Sequence, residues 1–298
     1  MVELQERDIK LLKTLNKFGA LNVRGLQNFY GKEYYKQRLL KLKEENYVIG
    51  KHGFVTLGYK SKEILKELNI EINPPVYDKS KARKLSKIAG IYTELDNWEI
   101  QNSQAVKTSK NLNQVCQTVG SLTNDRKEEF IVYHLDNRLN KKQLTYAQYE
   151  IKSLDKNICT KVIIFINSFK IIQQMPINAL RRHSLLLVPT GKLSIKLLNE
   201  YGSKDINMEV LQLLKNASTC SNSLFEYEDQ SNYYTSLLLI DIAKMEYLNS
   251  FASNFTHKKI NVFCLKGMEQ YYKTVLHENI NILPIKYETC PSRRGETL

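Results

Sequence analysis

Long apolar runs are missing from this 298-residue chain. None approaches the roughly 20 residues that span a bilayer, so no membrane is expected as a partner. The first residues, Met-Val-Glu-Leu-Gln-Glu-Arg-Asp, lack the basic-then-apolar order of a secretory signal, and a cytoplasmic location is expected. Cysteine is scarce and scattered: Cys116, Cys159, Cys220, Cys264 and Cys290. No two form a C-x-x-C pair and none has a histidine at zinc-ligand spacing, so no metal site is expected. Their odd number and wide spacing fit reduced, mostly buried thiols. The histidines, His52, His134, His183, His257 and His277, form no H-E-x-x-H and pair with no nucleophile motif. Internal repeats and low-complexity tracts are absent too.

A phosphate loop is also lacking. Val188-Pro189-Thr190-Gly191-Lys192 stands between a strand-like run and a helix-like run, as such a loop would. The motif G-x-x-x-x-G-K-[ST] needs an earlier glycine where Leu186 stands, and a hydroxyl where Leu193 stands. Without them the backbone nest and the Mg²⁺-binding group are lost. A plain strand-to-helix turn is expected, and no cofactor.

What the chain does have is positive charge. It carries 44 Lys/Arg against 31 Asp/Glu, a net of +13, with a pI near 9.3. A surplus of that size favours a polyanionic partner, and with no membrane feature that partner is nucleic acid. A hydrophobic content of 42% with 25% charged residues belongs to ordinary globular proteins. The length suits two domains.

The first 70 residues hold 14 Lys/Arg against 8 Asp/Glu. Ile9, Leu12, Leu15 and Phe18 recur at threes and predict a helix from Gln5 to Phe18, ended by Gly19. A second short helix is expected over Val23–Tyr30, with Asn22 as N-cap and Gly31 as a break. Lys32–Tyr47 then reads as a third helix. Tyr35, Leu39 and Leu42 fall at i, i+4 and i+7 and share one apolar seam. Lys36, Gln37, Arg38 and Lys41 lie mostly off it. Val48-Ile49-Gly50-Lys51-His52-Gly53-Phe54-Val55-Thr56-Leu57 is two β-prone runs around a turn, a hairpin signal. A further helix follows over Tyr59–Leu68. Two short helices around a glycine-containing turn, the second basic and followed by a hairpin, have the form of a winged helix-turn-helix.

Asn73-Pro74-Pro75 stops regular structure. Ala82, Leu85, Ile88, Tyr92, Leu95 and Trp98 predict a helix over Lys79–Trp98, its first half loaded with Lys79, Lys81, Arg83, Lys84 and Lys87. Leu112–Val119 reads as a short helix. The apolar runs Phe130–Leu135, Val162–Ile166, Ser184–Val188, Leu237–Ile240, Ile260–Leu265 and Ile280–Ile285 predict strands. Helices are expected over Leu193–Tyr201, Met245–Phe255 and Met268–Leu276, while Leu144–Leu154 suits helix or strand. Strands alternating with helices mean an α/β domain with a parallel or mixed sheet.

Glu150-Ile151-Lys152 is literally E-x-K, with Asp125 and Asp136 upstream. Mg²⁺-dependent nucleases of the PD-(D/E)xK type set an Asp and an E-x-K on neighbouring strands, where the carboxylates hold the metal. A helical segment would instead turn Glu150 and Lys152 to different faces.

Residues 3–68 resemble the winged-helix half of the replication-relaxation family of plasmids and integrative elements in Gram-positive bacteria. The resemblance is carried by Glu6-Arg7-Asp8-Ile9-Lys10-Leu11-Leu12, by Arg38-Leu39-Leu40-Lys41-Leu42 through Asn46-Tyr47-Val48, and by Phe54-Val55-Thr56-Leu57-Gly58. It implies a C-terminal half similar to a degenerate PD-(D/E)xK nuclease-like fold. His134 departs from that pattern, standing where an acidic strand residue is expected.

The expected architecture is therefore α+β / α/β. Residues 1–72 form a winged helix-turn-helix, 73–110 a basic helical connector, 111–290 an α/β domain and 291–298 a flexible tail. The expected function is sequence-specific binding of double-stranded DNA for a plasmid, integrative element or phage, in replication, DNA transfer or its regulation. Lys32, Lys36, Lys41, Lys51 and Lys60 would meet phosphates. Gln37 and Arg38 would read base edges, Tyr34 would bond a phosphate, and His52 would sit at the wing tip. A homodimer and a replication or transfer protein are further partners to expect. One alternative is a Mg²⁺-dependent nuclease using Asp125 or Asp136 with Glu150 and Lys152. The other is a transcriptional repressor with a dimerisation or sensor domain. No catalytic residue is assigned.

Overall fold

The computed structural model describes residues 3–73, 78–113, 116–135, 141–154, 161–168, 184–211, 214, 217–254 and 257–286. The protein is a mixed α+β chain, with three sheets among the described residues. It divides into two compact units, Met1–Asp96 and Asn97–Leu298.

In the first unit, α1 (Glu6–Phe18) opens with the Gln5 N–H donating 2.7 Å to the Asp8 carboxylate. It closes at Gly19, whose N–H reaches the Leu15 carbonyl. β1 (Leu21–Asn22) leads into a 3₁₀ turn, Val23–Leu26, capped by the Asn22 side chain accepting from the Arg24 N–H at 2.9 Å. α2 (Gln27–Glu44) follows. It is broken at Gly31, whose φ of 78° and ψ of 169° no helix allows and few side chains tolerate. The expected second helix is thus a 3₁₀ turn running into one helical turn, and the third begins after Gly31 as predicted. β2 (Val48–Lys51) and β3 (Phe54–Leu57) form the hairpin, and α3 (Tyr59–Glu67) comes next. The three strands are antiparallel in the order β1-β3-β2.

Tyr35, Leu39 and Leu42 are buried, with Leu11, Leu12, Leu15, Leu21, Leu26, Val55 and Leu65 beside them in the unit's core. The end of α2 is tied to the start of α3 through backbone. The Gly58 N–H donates to the Tyr47 carbonyl at 2.8 Å and the Lys60 N–H to the Asn46 carbonyl at 3.2 Å. The Ser61 hydroxyl also donates to the Tyr47 carbonyl.

α4 (Lys79–Tyr92) belongs to this unit. The Tyr92 ring lies 5.2 Å from Phe18, and the Asn28 amide donates to the Thr93 hydroxyl at 3.0 Å. The connector expected over 73–110 is therefore divided at residue 96. The helix also stops at Tyr92, six residues short of its periodic pattern. Trp98 continued that pattern because it is buried, but it is buried in the second unit, where its indole N–H donates to the Leu198 carbonyl at 3.0 Å.

The second unit holds two sheets. The six-stranded one comprises β4 (Glu99–Asn102), β5 (Gly120–Thr123), β6 (Glu129–Leu135), β7 (Lys161–Ile166), β8 (Ser184–Pro189) and β12 (Ile240–Asp241). Its order is β12-β8-β7-β6-β5-β4, with β6, β7 and β8 parallel and the rest antiparallel. The five-stranded one comprises β9 (Ser218–Thr219), β10 (Tyr227–Glu228), β11 (Asn232–Ser236), β13 (Lys259–Leu265) and β14 (Ile280–Ile285). Its order is β14-β13-β11-β10-β9, with β11, β13 and β14 parallel. The helices among the described residues are α5 (Ser103–Ser109), α6 (Lys141–Ser153), α7 (Lys192–Ser203), α8 (Ile206–Leu211), α9 (Ile242–Asn254) and α10 (Glu269–Val275).

One apolar cluster runs through both sheets. It takes Ile131 and Tyr133 from β6, Leu144, Ala147 and Ile151 from α6, Met245 and Leu248 from α9, and Val262 and Tyr272 from the five-stranded side. Two expected elements differ. Leu237–Leu239 is buried but lies outside any strand, because it carries the chain from β11 in one sheet to β12 in the other. The Leu237 N–H donates to the Phe263 carbonyl at 2.8 Å, and the Tyr272 hydroxyl donates to the Leu237 carbonyl at 2.7 Å. An apolar run reports burial rather than strand. Residues 112–113 and 116–119 are not helical; the Val119 N–H pairs instead with the Val132 carbonyl. The segment Leu144–Leu154 resolves as the helix α6 and the residue after it.

Candidate nucleic-acid interface

The break at Gly31 and the buried seam together fix which side of α2 faces water. Lys32, Lys36, Gln37 and Lys41 are exposed, and Tyr34 is half-buried beneath the Arg7 guanidinium, 5.1 Å above its ring. Leu40, in the middle of this row, is 58% exposed. The hairpin adds Lys51 and His52, both exposed. Its tip is a two-residue turn set by the Lys51↔Phe54 pairing, with His52 at φ 53° and Gly53 at φ 81°. Positive φ at both positions matches the twist of the flanking strands. The Gly53 carbonyl accepts from the Val23 N–H at 3.0 Å, which anchors the tip to the 3₁₀ turn. Lys60 is half-exposed and engaged: its ammonium lies 2.8 Å from the Glu45 carboxylate. The hydrogen bond between them raises the lysine pKa and lowers that of the glutamate.

Arg38 is a correction. Its position between Tyr35 and Leu42 turns it inward, and it is 4% exposed. The guanidinium bonds both oxygens of Asp8, itself fully buried, and donates 2.8 Å to the Glu3 carbonyl. The Tyr30 hydroxyl donates to the same carboxylate at 2.7 Å. Burial pushes the Asp8 carboxyl upward, but hydrogen bonds from Arg38, Tyr30 and the Gln5 N–H outweigh it and hold the pKa below the ordinary value. Burial and the neighbouring carboxylate raise the Tyr30 phenol. Arg38 therefore fastens α2 to α1 and is not available to a base edge. The features that escaped the sequence reading here are Asp8, Tyr30 and Leu40. Only Leu40 had a signal, an apolar residue off the seam.

In the second unit, Glu150-Ile151-Lys152 lies on α6 rather than a strand. The Glu150 carboxylate accepts from the Gln117 N–H at 2.6 Å, the Thr118 N–H at 3.3 Å and the Tyr133 hydroxyl at 2.9 Å. Ile151 is buried and Lys152 is exposed, so the helix sends the two charged groups to different sides. Asp125 is exposed in the β5–β6 turn, and Asp136 lies outside the described residues. Among the described residues no group of three or more His, Cys, Asp or Glu side chains is placed to hold a metal ion. Glu150 is a clamp between α6 and the sheet. Glu150→Ala is expected to lower stability by about 1–3 kcal/mol, because the hydrogen bonds from Gln117, Thr118 and Tyr133 to its carboxylate are lost. Urea unfolding monitored by Trp98 fluorescence checks it; an unchanged midpoint would refute the clamp.

The Pro189–Lys192 stretch is a strand-to-helix turn, with the Thr190 N–H donating to the Ile166 carbonyl at 3.0 Å. Cys116, Cys220 and Cys264 are free thiols, the last of them buried, while Cys159 and Cys290 lie outside the described residues. Among the described residues no helix is long and apolar enough to cross a membrane.

No family model, curated protein or solved structure matches this chain.

Proposed function

We propose that the first unit is a winged-helix DNA-binding domain, and that the protein binds specific double-stranded DNA of a plasmid, integrative element or phage. Replication, DNA transfer or its regulation is the proposed setting, in keeping with the resemblance of residues 3–68 to replication-relaxation proteins. The observation that carries this reading is the exposed row Lys32, Lys36, Gln37 and Lys41 on α2, followed in the chain by a short hairpin bearing Lys51 and His52. The order of helix, short strand, broken helix pair and hairpin supports it. So does a charge of 19 Lys/Arg against 12 Asp/Glu in residues 1–96. In this reading the part of α2 after Gly31 lies in the major groove and the hairpin over the backbone. The second unit serves assembly or partner contact.

Affinity then comes mainly from phosphate contacts, which release counterions. Four lysine contacts, from Lys32, Lys36, Lys41 and Lys51, are expected to give a log K against log salt slope of roughly −3 to −4. The measurement is fluorescence anisotropy of the full chain with a mixed-sequence duplex across a salt series. Absence of any binding at low salt defeats the reading.

A further inference from the structure

The exposed side of α2 has an unusual make-up once Arg38 is removed from it. Lys36, Gln37, Leu40, Lys41 and Glu44 follow one another along a single strip, at i, i+1, i+4, i+5 and i+8. The helix's seam residues after Gly31 are placed as burial requires: Tyr35 is 7% exposed, Leu39 8% and Leu42 0%. Leu40 is 58% exposed in a row of cations. The neighbouring Gln37 amide makes no side-chain hydrogen bond among the described residues. No arginine is left on the strip, because the guanidinium of Arg38 is taken by Asp8. The arginine fork, the commonest reader of guanine, is therefore missing from it, and the cations that remain are Lys36 and Lys41.

The two uncharged side chains that remain, Gln37 and Leu40, match an A·T pair. A glutamine amide bonds adenine through N6 and N7, and an apolar side chain packs on the thymine 5-methyl group in the major groove. We propose that this strip reads A·T pairs, with Gln37 on adenine and Leu40 on the thymine methyl, so that the protein's targets are thymine-containing duplexes. The inference rests on the reading of α2 as the helix that enters the major groove. Lys36 and Lys41, flanking the pair, hold the strip in place through phosphate. Glu44, at the far end, keeps that end away from the backbone.

Uracil isolates the methyl. An A·U pair keeps every hydrogen-bonding group of A·T and lacks only the C5-methyl. Burying one group of that size against Leu40 is worth about fourfold in affinity per contact. The test uses the full chain with alternating poly(dA-dT), poly(dA-dU) and poly(dG-dC) duplexes at one salt concentration, with Leu40→Ala alongside. Leu40→Ala is expected to keep the melting temperature, since the side chain is mostly in water. Wild-type protein is expected to bind poly(dA-dT) about fourfold or more tighter than poly(dA-dU), and poly(dG-dC) most weakly. Leu40→Ala is expected to erase the thymine-over-uracil ratio. A ratio near one in the wild type, with duplex binding intact, overturns the assignment and leaves the DNA-binding reading standing. A ratio that persists in Leu40→Ala overturns it too, because the preference would then follow duplex shape. Tighter binding of poly(dG-dC) likewise counts against it. Failure to bind any of the three overturns both readings together.

Discussion

Arg38→Ala is expected to destabilise the first unit by about 3–5 kcal/mol, the usual cost of leaving one member of a buried ion pair alone. Among the described residues the Asp8 carboxylate would keep the Tyr30 hydroxyl and the Gln5 N–H as hydrogen-bond donors. Asp8→Leu combined with Arg38→Met is expected to recover part of the loss, because a buried pair replaced as a whole by apolar groups is often close to neutral. The two units can be followed separately. The chain's single tryptophan, Trp98, lies in the second unit, whereas far-ultraviolet circular dichroism sees both. Arg38→Ala should therefore shift the dichroism transition and leave the Trp98 fluorescence transition in place. A coincident shift of both would show that the pair does not act within the first unit alone. Acid reads the same pair. The Asp8 pKa is lowered on folding, so its stabilisation is complete above the unfolded value of about 3.9. It is lost as pH falls from there through the folded value. Glu128 is held at about 2: burial raises it, and Lys161, Asn124 and Arg126 outweigh that. Glu128 is therefore expected to give the second unit an acid dependence of its own, and the part that disappears in Asp8→Asn is the first unit's.

Lys36→Glu with Lys41→Glu is expected to weaken duplex binding by about two orders of magnitude at moderate salt. Two phosphate contacts are lost and two repulsions are created, and the salt slope should fall by about two. Both side chains are exposed, so stability should change by no more than about 0.5 kcal/mol. Lys10 and Lys13 on α1 make the fitting comparison, being exposed in the same unit. Reversing their charges alters the net charge equally and is expected to cost less than tenfold. Equal losses from the two pairs would assign binding to net charge rather than to the face of α2.

Much of the first unit is legible from spacing alone. Tyr35, Leu39 and Leu42 recur at helical intervals, and burial follows from that geometry. The hairpin is legible because two β-prone runs flank a His-Gly turn. Arg38 is not legible, since its partner Asp8 stands 30 positions earlier and neither residue differs in type from an exposed one. Glu150 misleads for a related reason. A three-residue motif specifies spacing but not the element that carries it, and Tyr133 and the Gln117–Thr118 backbone claim its carboxylate through tertiary structure. In the second unit the long parallel strands are plain as β-branched runs. β9, β10 and β12 are two residues each, too short for any periodicity to register. Of the proposed interface, the lysines and Gln37 are readable as off-seam polar residues. Leu40 stands out as an exposed apolar residue only when the seam is shown to be full without it.

The passage of Leu237–Leu239 from β11 to β12 bears on how the second unit is made. β8 is synthesised by residue 189, yet its outer edge is covered only when Ile240–Asp241 returns to it from the other sheet. By then β13 and β14 are still to come. A growing chain thus carries an open strand edge for some 50 residues of synthesis, a period in which it can pair with a neighbour. The two sheets also share α9 and one apolar cluster. No single cut of the backbone between the two sheets leaves each half with its own closed core.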